Sequence, residues 1–260
     1  MNEYFLVIAA LIILAAAGML IYMRKLAFLD QVLEQTIDLQ GFPESFGKLN
    51  IFFISDIHRR EISDGIINQV KGKADLVVIG GDLAEGGVPF TRIEKNINKL
   101  RMLGPVYFVW GNNDYEMDYH LLDATLLKYG VKILDNTAAL LESENGDKIS
   151  LLGIDFVDGE RDRLDLALQD AGENSFKILL SHTPEVLRQI EPETDIRLVL
   201  SGHTHGGQIR LLGFGRYRKG RIGKKGSTIY LVSNGYGTSL VPLRLGAKPE
   251  THLLTLRSER

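Results

Sequence analysis

Eight polar residues of the types that bind metal ions follow or adjoin short apolar runs in this sequence. They are Asp56, His58, Asp82, Asn112, Asp114, His182, His203 and His205. Four of the six histidines of the chain belong to this set, a concentration that chance placement rarely gives. Because the sequence has no cysteine, a metal must be bound by oxygen and imidazole nitrogen, which favours manganese, iron, zinc or magnesium.

The spacing within this set also suits metal binding. In Asp56-x-His58, an extended backbone would point residues i and i+2 to the same side, so that carboxylate and imidazole bind one ion. His203-x-His205 has the same spacing, and the two glycines before Asp82 would let the backbone turn sharply and approach a metal. Taken singly, each residue has an ordinary explanation, such as a helix cap or a polar turn. The joint pattern is what indicates a site.

The apolar runs beside these residues are expected to be the strands that position them. The runs are 51–54, 76–79, 106–109, 178–180 and 198–200. Continuous apolar runs of this length are typical of strands buried on both faces. Helix-length segments at 61–71, 91–103 and 161–170 lie between several of them, and this alternation indicates an α/β fold. In such folds, ligands bind at the carboxyl ends of the strands, where the loops converge.

Further strands complete the predicted fold. We predict a first strand at 33–40, which Gly41-Phe42-Pro43 ends. The segments 137–141, 148–152, 228–232 and 252–256 are predicted as hairpin-type or edge strands. We therefore expect one α/β domain of two packed mixed β-sheets flanked by helices.

The N-terminus carries an uncharged apolar run from Tyr4 to Met23. About 20 apolar residues is the length that an α-helix needs to cross a bilayer. The alternatives are a buried core helix and a cleaved signal peptide, since small residues occupy 15–18. No basic residue precedes the run, whereas Arg24 and Lys25 follow it, which by the positive-inside rule places the body in the cytoplasm. We predict a single-pass anchor in the cell membrane.

Five motifs occur in one order along the rest of the chain: Asp56-x-His58, Gly80-Gly81-Asp82, Gly111-Asn112-Asn113-Asp114, Ser181-His182 and Gly202-His203-Thr204-His205. Together they resemble the motifs of the calcineurin-like metallophosphoesterases, and the similarity extends from Ile51 to the C-terminus. The stretch 202–208, with 235–239 and 242–246, resembles a bacterial membrane-anchored branch. That branch includes proteins similar to UDP-2,3-diacylglucosamine pyrophosphatases.

The resemblance implies a four-layer sandwich at 50–260, preceded by the 1–25 anchor and by a 26–49 linker that includes the first edge strand. It also implies two divalent metal ions, with Mn²⁺ the first choice and Fe, Zn or Mg the alternatives. One metal would be bound by Asp56, His58, Asp82 and His205, and the other by Asp82, Asn112, His182 and His203. A hydroxide bridging the two ions would attack phosphorus, since two cations stabilise both the nucleophile and the phosphoryl oxygens.

Asn113 departs from the family pattern, because most members have histidine at this position. In the family that histidine is thought to protonate the leaving oxygen or to steady the transition state, with the aspartate orienting it. Asn113 can donate a hydrogen bond but cannot deliver a proton, and Asp114 would then only orient the loop. A phosphate leaving group, with a second pKa of about 6, needs no proton, so the substitution favours a pyrophosphate or activated ester. The alternative is a tolerated substitution.

Seven basic residues without an intervening acidic residue follow the last motif: Arg210, Arg216, Arg218, Lys219, Arg221, Lys224 and Lys225. They form either a solvated surface loop or a basic lip that meets phosphate groups of substrate or anionic lipid. In the second case Arg210, Arg216, Arg218 and Arg221 would bind substrate, and the neighbouring Leu211, Leu212 and Phe214 would touch an acyl chain. The net charge of −3 gives no indication of nucleic-acid binding.

Three functions remain open from the sequence. The first is a hydrolase of a membrane-associated or lipid-linked phosphorylated molecule, and the second is a phosphodiesterase or phosphatase of soluble substrates. The third is a scaffold that performs no chemistry, although none of the seven expected metal ligands is missing. The membrane bilayer and the phosphorylated substrate are the expected partners, and the sequence indicates no protein partner.

Overall fold

The apolar runs of the sequence form strands in the computed structural model, which describes residues 2–259. The helices are α1 (Asn2–Ala27), α2 (Asp64–Val70), α3 (Phe90–Arg101), α4 (Tyr119–Lys128) and α5 (Leu164–Gln169). The strands are β1 (Val32–Leu39), β2 (Lys48–Ile54), β3 (Leu76–Gly80), β4 (Val106–Val109), β5 (Lys132–Ile133), β6 (Thr137–Glu142), β7 (Lys148–Gly153), β8 (Phe176–Leu180), β9 (Ile196–Ser201), β10 (Arg221–Lys225), β11 (Thr228–Val232) and β12 (Thr251–Ser258). Short 3₁₀ turns lie in several of the loops.

The strands form two six-stranded mixed sheets. The order in the first sheet is β1-β12-β2-β3-β4-β5, where only the β12–β2 pair is antiparallel. The order in the second sheet is β10-β11-β9-β8-β7-β6, where the two outer pairs are antiparallel. The prediction of two packed mixed sheets flanked by helices is confirmed.

Alternate residues of the strands face different layers. In β2, Ile51 and Phe53 lie in the core between the two sheets, whereas Phe52 and Ile54 pack in the core beneath α2, α3 and α4. A third core lies between the second sheet and α5. Each fully buried side chain of this size stabilises the fold by about 1.5–3 kcal/mol, so the strands are held from both faces.

Helix α4 was not among the predicted helices. Its buried side chains, Leu122, Thr125 and Leu126, have helical spacing. Leu121 and Leu127 are nevertheless exposed, so apolar residues lie on more than one face of the helix. This distribution removes the clear apolar stripe by which an amphipathic helix is recognised in a sequence.

Strand β12 was predicted as a hairpin-type or edge strand, and this prediction was wrong. It lies inside the first sheet, between β1 and β2, and it is the last strand of the chain. Its residues Leu253 and Leu256 are buried, which agrees with an internal position. Since its partners are about 200 residues earlier in the chain, no local turn signal could reveal this pairing.

The basic stretch after the last motif is not entirely a loop. Residues 221–225 form β10, the edge of the second sheet, paired with β11 in a hairpin. Three of its five residues, Arg221, Lys224 and Lys225, are basic and exposed. Charges on an edge strand oppose pairing with another chain, which gives these residues a structural role.

Helix α1 extends away from the two sheets. It is long and apolar enough to cross a membrane, and none of its most apolar 18-residue window is buried. Only its last two turns are attached, through the buried side chains of Met23, Leu26 and Ala27. The exposure of the helix argues against a core helix of a soluble protein.

Candidate metal centre

The predicted ligands come from the carboxyl ends of strands in both sheets. In the first sheet, the loop after β2 carries Asp56 and His58, and the loops after β3 and β4 carry Asp82 and Asn112. In the second sheet, the loop after β8 carries His182, and the loop after β9 carries His203 and His205. The structure brings all seven residues together where the two sheets meet.

One cluster consists of Asp56, His58 and His205, which are all buried. His58 Nε2 lies 3.0 Å from His205 Nε2, and His205 Nε2 lies 3.3 Å from Asp56 Oδ1. Asp56 is held in place by Ser55 Oγ at 2.5 Å and by the backbone N–H of His203 at 3.0 Å. These contacts aim one carboxylate oxygen and two imidazole nitrogens at one point.

The second cluster consists of Asp82, His182 and His203, with Asn112 beside it. His182 Nε2 lies 3.2 Å from Asp82 Oδ2 and 3.2 Å from His203 Nδ1. The amide oxygen of Asn112 lies 3.0 Å from His203 Nδ1. The other ring nitrogen of His182 faces the Gly80 carbonyl at 2.9 Å, which leaves Nε2 as the nitrogen that faces the cluster.

Asp82 lies between the two clusters. Its Oδ2 is 3.2 Å from His182 Nε2 and 3.7 Å from His58 Nε2. Its Oδ1 accepts a hydrogen bond from the backbone N–H of Asn113 at 2.8 Å. Of the seven predicted ligands, Asp82 is thus in a position to contact two ions at once.

The donor set fits a pair of divalent cations. The nitrogen–nitrogen pairs described above, His58 with His205 and His182 with His203, lie 3.0 and 3.2 Å apart. Two imidazole nitrogens at this distance share at most one proton, whereas a cation satisfies both lone pairs. Carboxylate, amide oxygen and imidazole together are ligands typical of manganese, iron and zinc. The two clusters thus indicate a dinuclear site.

The backbone at the ligands is left-handed. The extended geometry that was expected from the spacing of Asp56-x-His58 and His203-x-His205 was therefore wrong. Asp56 and His58 have φ angles of 53° and 52°, and His203 and His205 have 68° and 48°. In this conformation His203 and His205 point into different clusters rather than toward one ion. Non-glycine residues rarely adopt positive φ, and such strain concentrates at functional sites.

Two glycines make room for this crowding. A Cβ at Gly81, whose φ is +80°, would lie 2.5 Å from the His182 ring, and one at Gly202 would lie 2.4 Å from Asp56 Oδ2. Any larger residue at either position would displace a ligand. The expected sharp turn before Asp82 is present at Gly81. The absence of a side chain at these glycines also lets loops from the two sheets pack directly against each other.

The two buried carboxylates determine the protonation of the histidines. Although burial disfavours a charged ring, Asp82 and Asp56 raise the pKa of His182 to about 10. Burial and the neighbouring His182 lower the pKa of His203. A cation that binds His182 Nε2 must displace a proton held there, so metal binding releases protons.

Asn113 and Asp114 have different positions relative to the cleft. Asn113 lines it, and its amide is held by hydrogen bonds with Asn112 and Glu116, each of 2.8 Å. Asp114 is fully buried and accepts hydrogen bonds from the backbone N–H groups of Asp82, Ala84 and Gly111. Asp114 thus joins the loops after β3 and β4, whereas Asn113 can reach a bound molecule.

Burial and the negative charge of Asp82 raise the pKa of Asp114 to about 7, although the backbone hydrogen bonds oppose this shift. The structure places Asp114 as a positioning residue of the ligand loops.

Glu85 was not among the site residues predicted from the sequence. Its Oε2 lies 3.0 Å from His58 Nδ1, and its Oε1 pairs with Arg59. Although burial has the opposite effect, Glu85, Asp82 and Asp56 raise the pKa of His58. A carboxylate beside the second nitrogen of a ligand histidine orients the ring. The only signal in the sequence was an acidic residue three positions after Asp82.

Arg244 was also missed as a site residue. It is fully buried, and its guanidinium donates to the carbonyls of Asn234 and Gly237 at 2.7 Å and of His205 at 3.2 Å. Burial lowers the pKa of Arg244 to about 10. This side chain ties the loop that carries His205 to the loops at 234–237.

The cleft beside the clusters has a volume of about 340 Å³. Asp82, Asn112, Asn113 and His203 line it, as does Arg216. Of the four arginines predicted to bind substrate, only Arg216 thus lines the cleft itself.

Arg218 and Arg221 line a neighbouring cavity of about 420 Å³, together with Lys219. Tyr217 and Thr204 belong to both cavities, so the two are adjacent.

Arg210 is placed differently from the prediction. Its guanidinium donates to the carbonyls of Gly206 at 3.1 Å and Gly213 at 2.5 Å, and to that of Tyr217. The donors at both ends of the guanidinium are thereby used within the loop, and Arg210 does not line the cleft. The loop carbonyls hold this side chain in place, and its contact with a substrate stays a prediction.

Comparison with known proteins shows the family to which the chain belongs. The model of the calcineurin-like phosphoesterases matches residues 49–207. The chain belongs to this family. The matched range contains all seven predicted metal ligands, and the fold continues through β10, β11 and β12 after it.

Relatives with similar sequences extend over most of the chain. An uncharacterized protein of Bacillus subtilis, YpbG, is 45% identical over 254 residues, which are 96% of each chain. The phosphodiesterase YaeI of Escherichia coli is 27% identical and covers 84% of this chain and 86% of its own. A transmembrane protein with a metallophosphoesterase domain from Bos taurus is 30% identical and covers 85% of this chain and 56% of its own.

Proposed function

We propose that the chain is a two-metal-dependent phosphoester hydrolase. The observation that carries the proposal is the position of Asp82, whose Oδ2 lies 3.2 Å from His182 Nε2 and 3.7 Å from His58 Nε2. A carboxylate between two groups of imidazole ligands is the arrangement that holds two cations near each other. Family membership supports the same conclusion.

The seven ligands would hold the ions in the two groups already described, with Asp82 shared. When bound, two such cations lower the pKa of water and stabilise the charge of phosphoryl oxygens. The protein residues bind and orient the substrate in the cleft. Arg216 lines it and supplies positive charge for a phosphate, and Asn113 lines it with a side-chain amide, a group that can donate a hydrogen bond.

Metal identity is part of the proposal, with Mn²⁺ first and Fe, Zn or Mg as alternatives. The absence of thiolates favours metals that accept oxygen and nitrogen ligands, and Asn112 adds a neutral oxygen. Metal analysis of protein purified without chelators would identify the ions that are bound.

A membrane-associated or lipid-linked phosphate is the proposed substrate. The support comes from α1, which would keep the cleft near a bilayer, and from Asn113, which cannot protonate a leaving group. Cleavage of a pyrophosphate of the UDP-2,3-diacylglucosamine type is the leading candidate, because its leaving group departs as a phosphate anion. We propose that the body faces the cytoplasm, since Arg24 and Lys25 follow the apolar run.

A phosphodiesterase of soluble substrates is the second candidate. It is favoured by the similarity to YaeI, which is named a phosphodiesterase. A scaffold without chemistry is the least supported function, because the seven predicted ligands are all present and converge.

The experiment uses the full chain, loaded with Mn²⁺, and two substrates. We expect hydrolysis of bis-p-nitrophenyl phosphate that is lost in Asp82→Ala but retained in Asp158→Ala, whose side chain is exposed and outside the site. Loss in neither variant, or no metal-dependent hydrolysis at all, would reject the hydrolase. Faster turnover of UDP-2,3-diacylglucosamine than of the soluble diester would support the lipid-linked substrate, and the reverse would support the second candidate.

A further inference from the structure

Two loops beside the cleft carry large apolar side chains that solvent reaches almost completely. Leu240 is 98% exposed, Leu212 is 90% exposed and Phe214 is 82% exposed. Leu211 and Val241, in the same loops, are also exposed. We call these five residues the apolar rim. Exposed apolar side chains concentrated in this way mark an interaction surface.

The two rim loops form one structure. The Gln208 side chain donates to the carbonyls of Ser239 at 3.0 Å and Val241 at 3.2 Å, and it accepts from the Ser239 N–H at 2.9 Å. The backbone N–H of Arg210 also donates to the Leu245 carbonyl at 2.7 Å. Both apolar segments are thus fixed relative to each other and to the loop that carries His205.

The rim is attached to the end of α1. The backbone N–H of Arg244 donates to the Met23 carbonyl at 3.1 Å. Leu240 and Val241 line a cavity of about 120 Å³ together with Ala27 and Phe28, at the end of the helix. Because Leu240 also lines the cleft, this rim residue lies between the end of the anchor helix and the cleft.

Basic residues surround this region. Arg24 and Lys25 lie in the last turns of α1, and Lys219 and Lys248 line a cavity with the helix residue Leu26. Arg216 lies in the cleft beside Leu240. Basic side chains around apolar ones are suited to a surface of anionic lipid, where each adds about 1 kcal/mol.

We propose that the apolar rim inserts into the bilayer to which α1 is anchored, so that the cleft opens at the lipid surface. Continuity with the apolar helix and the charge of the surrounding residues argue for lipid as the occupant. The proposal rests on the proposed membrane anchor and does not depend on hydrolysis. It adds that a phosphate at the headgroup level of an anionic membrane has direct access to the cleft.

The test places tryptophan on the rim and measures its contact with lipid. Full-length Leu212→Trp and Leu240→Trp would be reconstituted in vesicles of phosphatidylcholine and phosphatidylglycerol, with and without bromine on the acyl chains. The control is Leu127→Trp, because Leu127 is 59% exposed on α4, which packs near β5 at the opposite edge of the first sheet from β1. The native Trp110 is buried and supplies a constant background.

We expect brominated lipid to quench the emission of both rim tryptophans at least about twofold more than that of the control, since interfacial apolar groups reach the acyl boundary. Equal quenching of rim and control, or none, would overturn the proposal. A blue-shifted emission without quenching would also overturn it, because a protein partner or a second copy would then cover the rim. Hydrolysis of a soluble diester by the same proteins tests the proposed activity separately.

Discussion

Asn113 is the residue on which the choice of substrate depends most. Its amide is oriented by Asn112 and Glu116, so that the side chain lines the cleft in a defined position. A side chain held in this way can stabilise a substrate oxygen by hydrogen bonding, but it transfers no proton. The proposed preference for leaving groups of low pKa follows from this chemistry.

Asn113→His should therefore increase turnover of a diester with an alkoxide leaving group by about tenfold or more, because a general acid contributes about 10²–10⁴-fold. Turnover of a pyrophosphate should change little. The comparison is kcat for the two substrates in the wild-type and variant proteins, with Asn113→Gln as the control that adds no acid. Equal effects on both substrates would contradict the leaving-group argument.

Asp114 illustrates a second kind of residue, one that acts through the backbone. Asp114→Asn replaces one acceptor oxygen by a donor that faces N–H groups, and we expect a loss of about 1–3 kcal/mol in the free energy of unfolding. Asp158→Asn is the matched control. The Asp158 carboxylate likewise accepts hydrogen bonds from backbone N–H groups, two in this case, but it is exposed. Thermal unfolding of the detergent-solubilised chain measures both. An equally small effect of the two substitutions would contradict the assigned role.

At the scale of elements, the loops at the strand ends carry the candidate metal ligands, and the buried Arg244 fixes the positions of these loops through hydrogen bonds. The Arg244 guanidinium donates to the carbonyls of Asn234 and Gly237 in one loop and to that of His205 in another. Lysine can supply neither the planar geometry nor the number of donors.

Arg244→Lys should thus lower the free energy of unfolding by about 3 kcal/mol or more, since hydrogen bonds to charged groups contribute about 1.5–3 kcal/mol each. Arg257→Lys is the control, because Arg257 is exposed and pairs with Asp38 at the surface. The measurement is thermal unfolding together with hydrolysis at a temperature where both variants are folded. Unchanged stability in Arg244→Lys would show that the loops are held by other contacts.

The elements also show which parts of the structure were predictable from sequence. The buried strands were predictable, since runs such as 51–54 and 76–79 are apolar throughout. The left-handed turns at Asp56 and His203 were not predictable, because their φ angles depend on contacts between loops of different strands. Likewise the position of β12 depends on partners far away in the chain, and the local pattern of α4 is obscured by exposed leucines.

For the whole molecule, the metal centre lies where the two sheets meet, and each sheet supplies part of each cluster. Asp56 and His58 come from the first sheet and His205 from the second, so neither sheet alone holds a complete cluster. The ligand identities were readable from five motifs in order. Their division between two ions was implied by the family resemblance alone. The spacing of His203 and His205 had instead suggested that both side chains bind the same ion.

The most direct test of the two-metal account is anomalous diffraction at the manganese edge from crystals of the Mn²⁺-loaded protein. We predict two peaks about 3.5–4 Å apart, with Asp82 between them. One peak should lie beside His58 and His205, and the other beside His182 and His203. A single peak, or two peaks too far apart for the Asp82 carboxylate to contact both, would contradict the account.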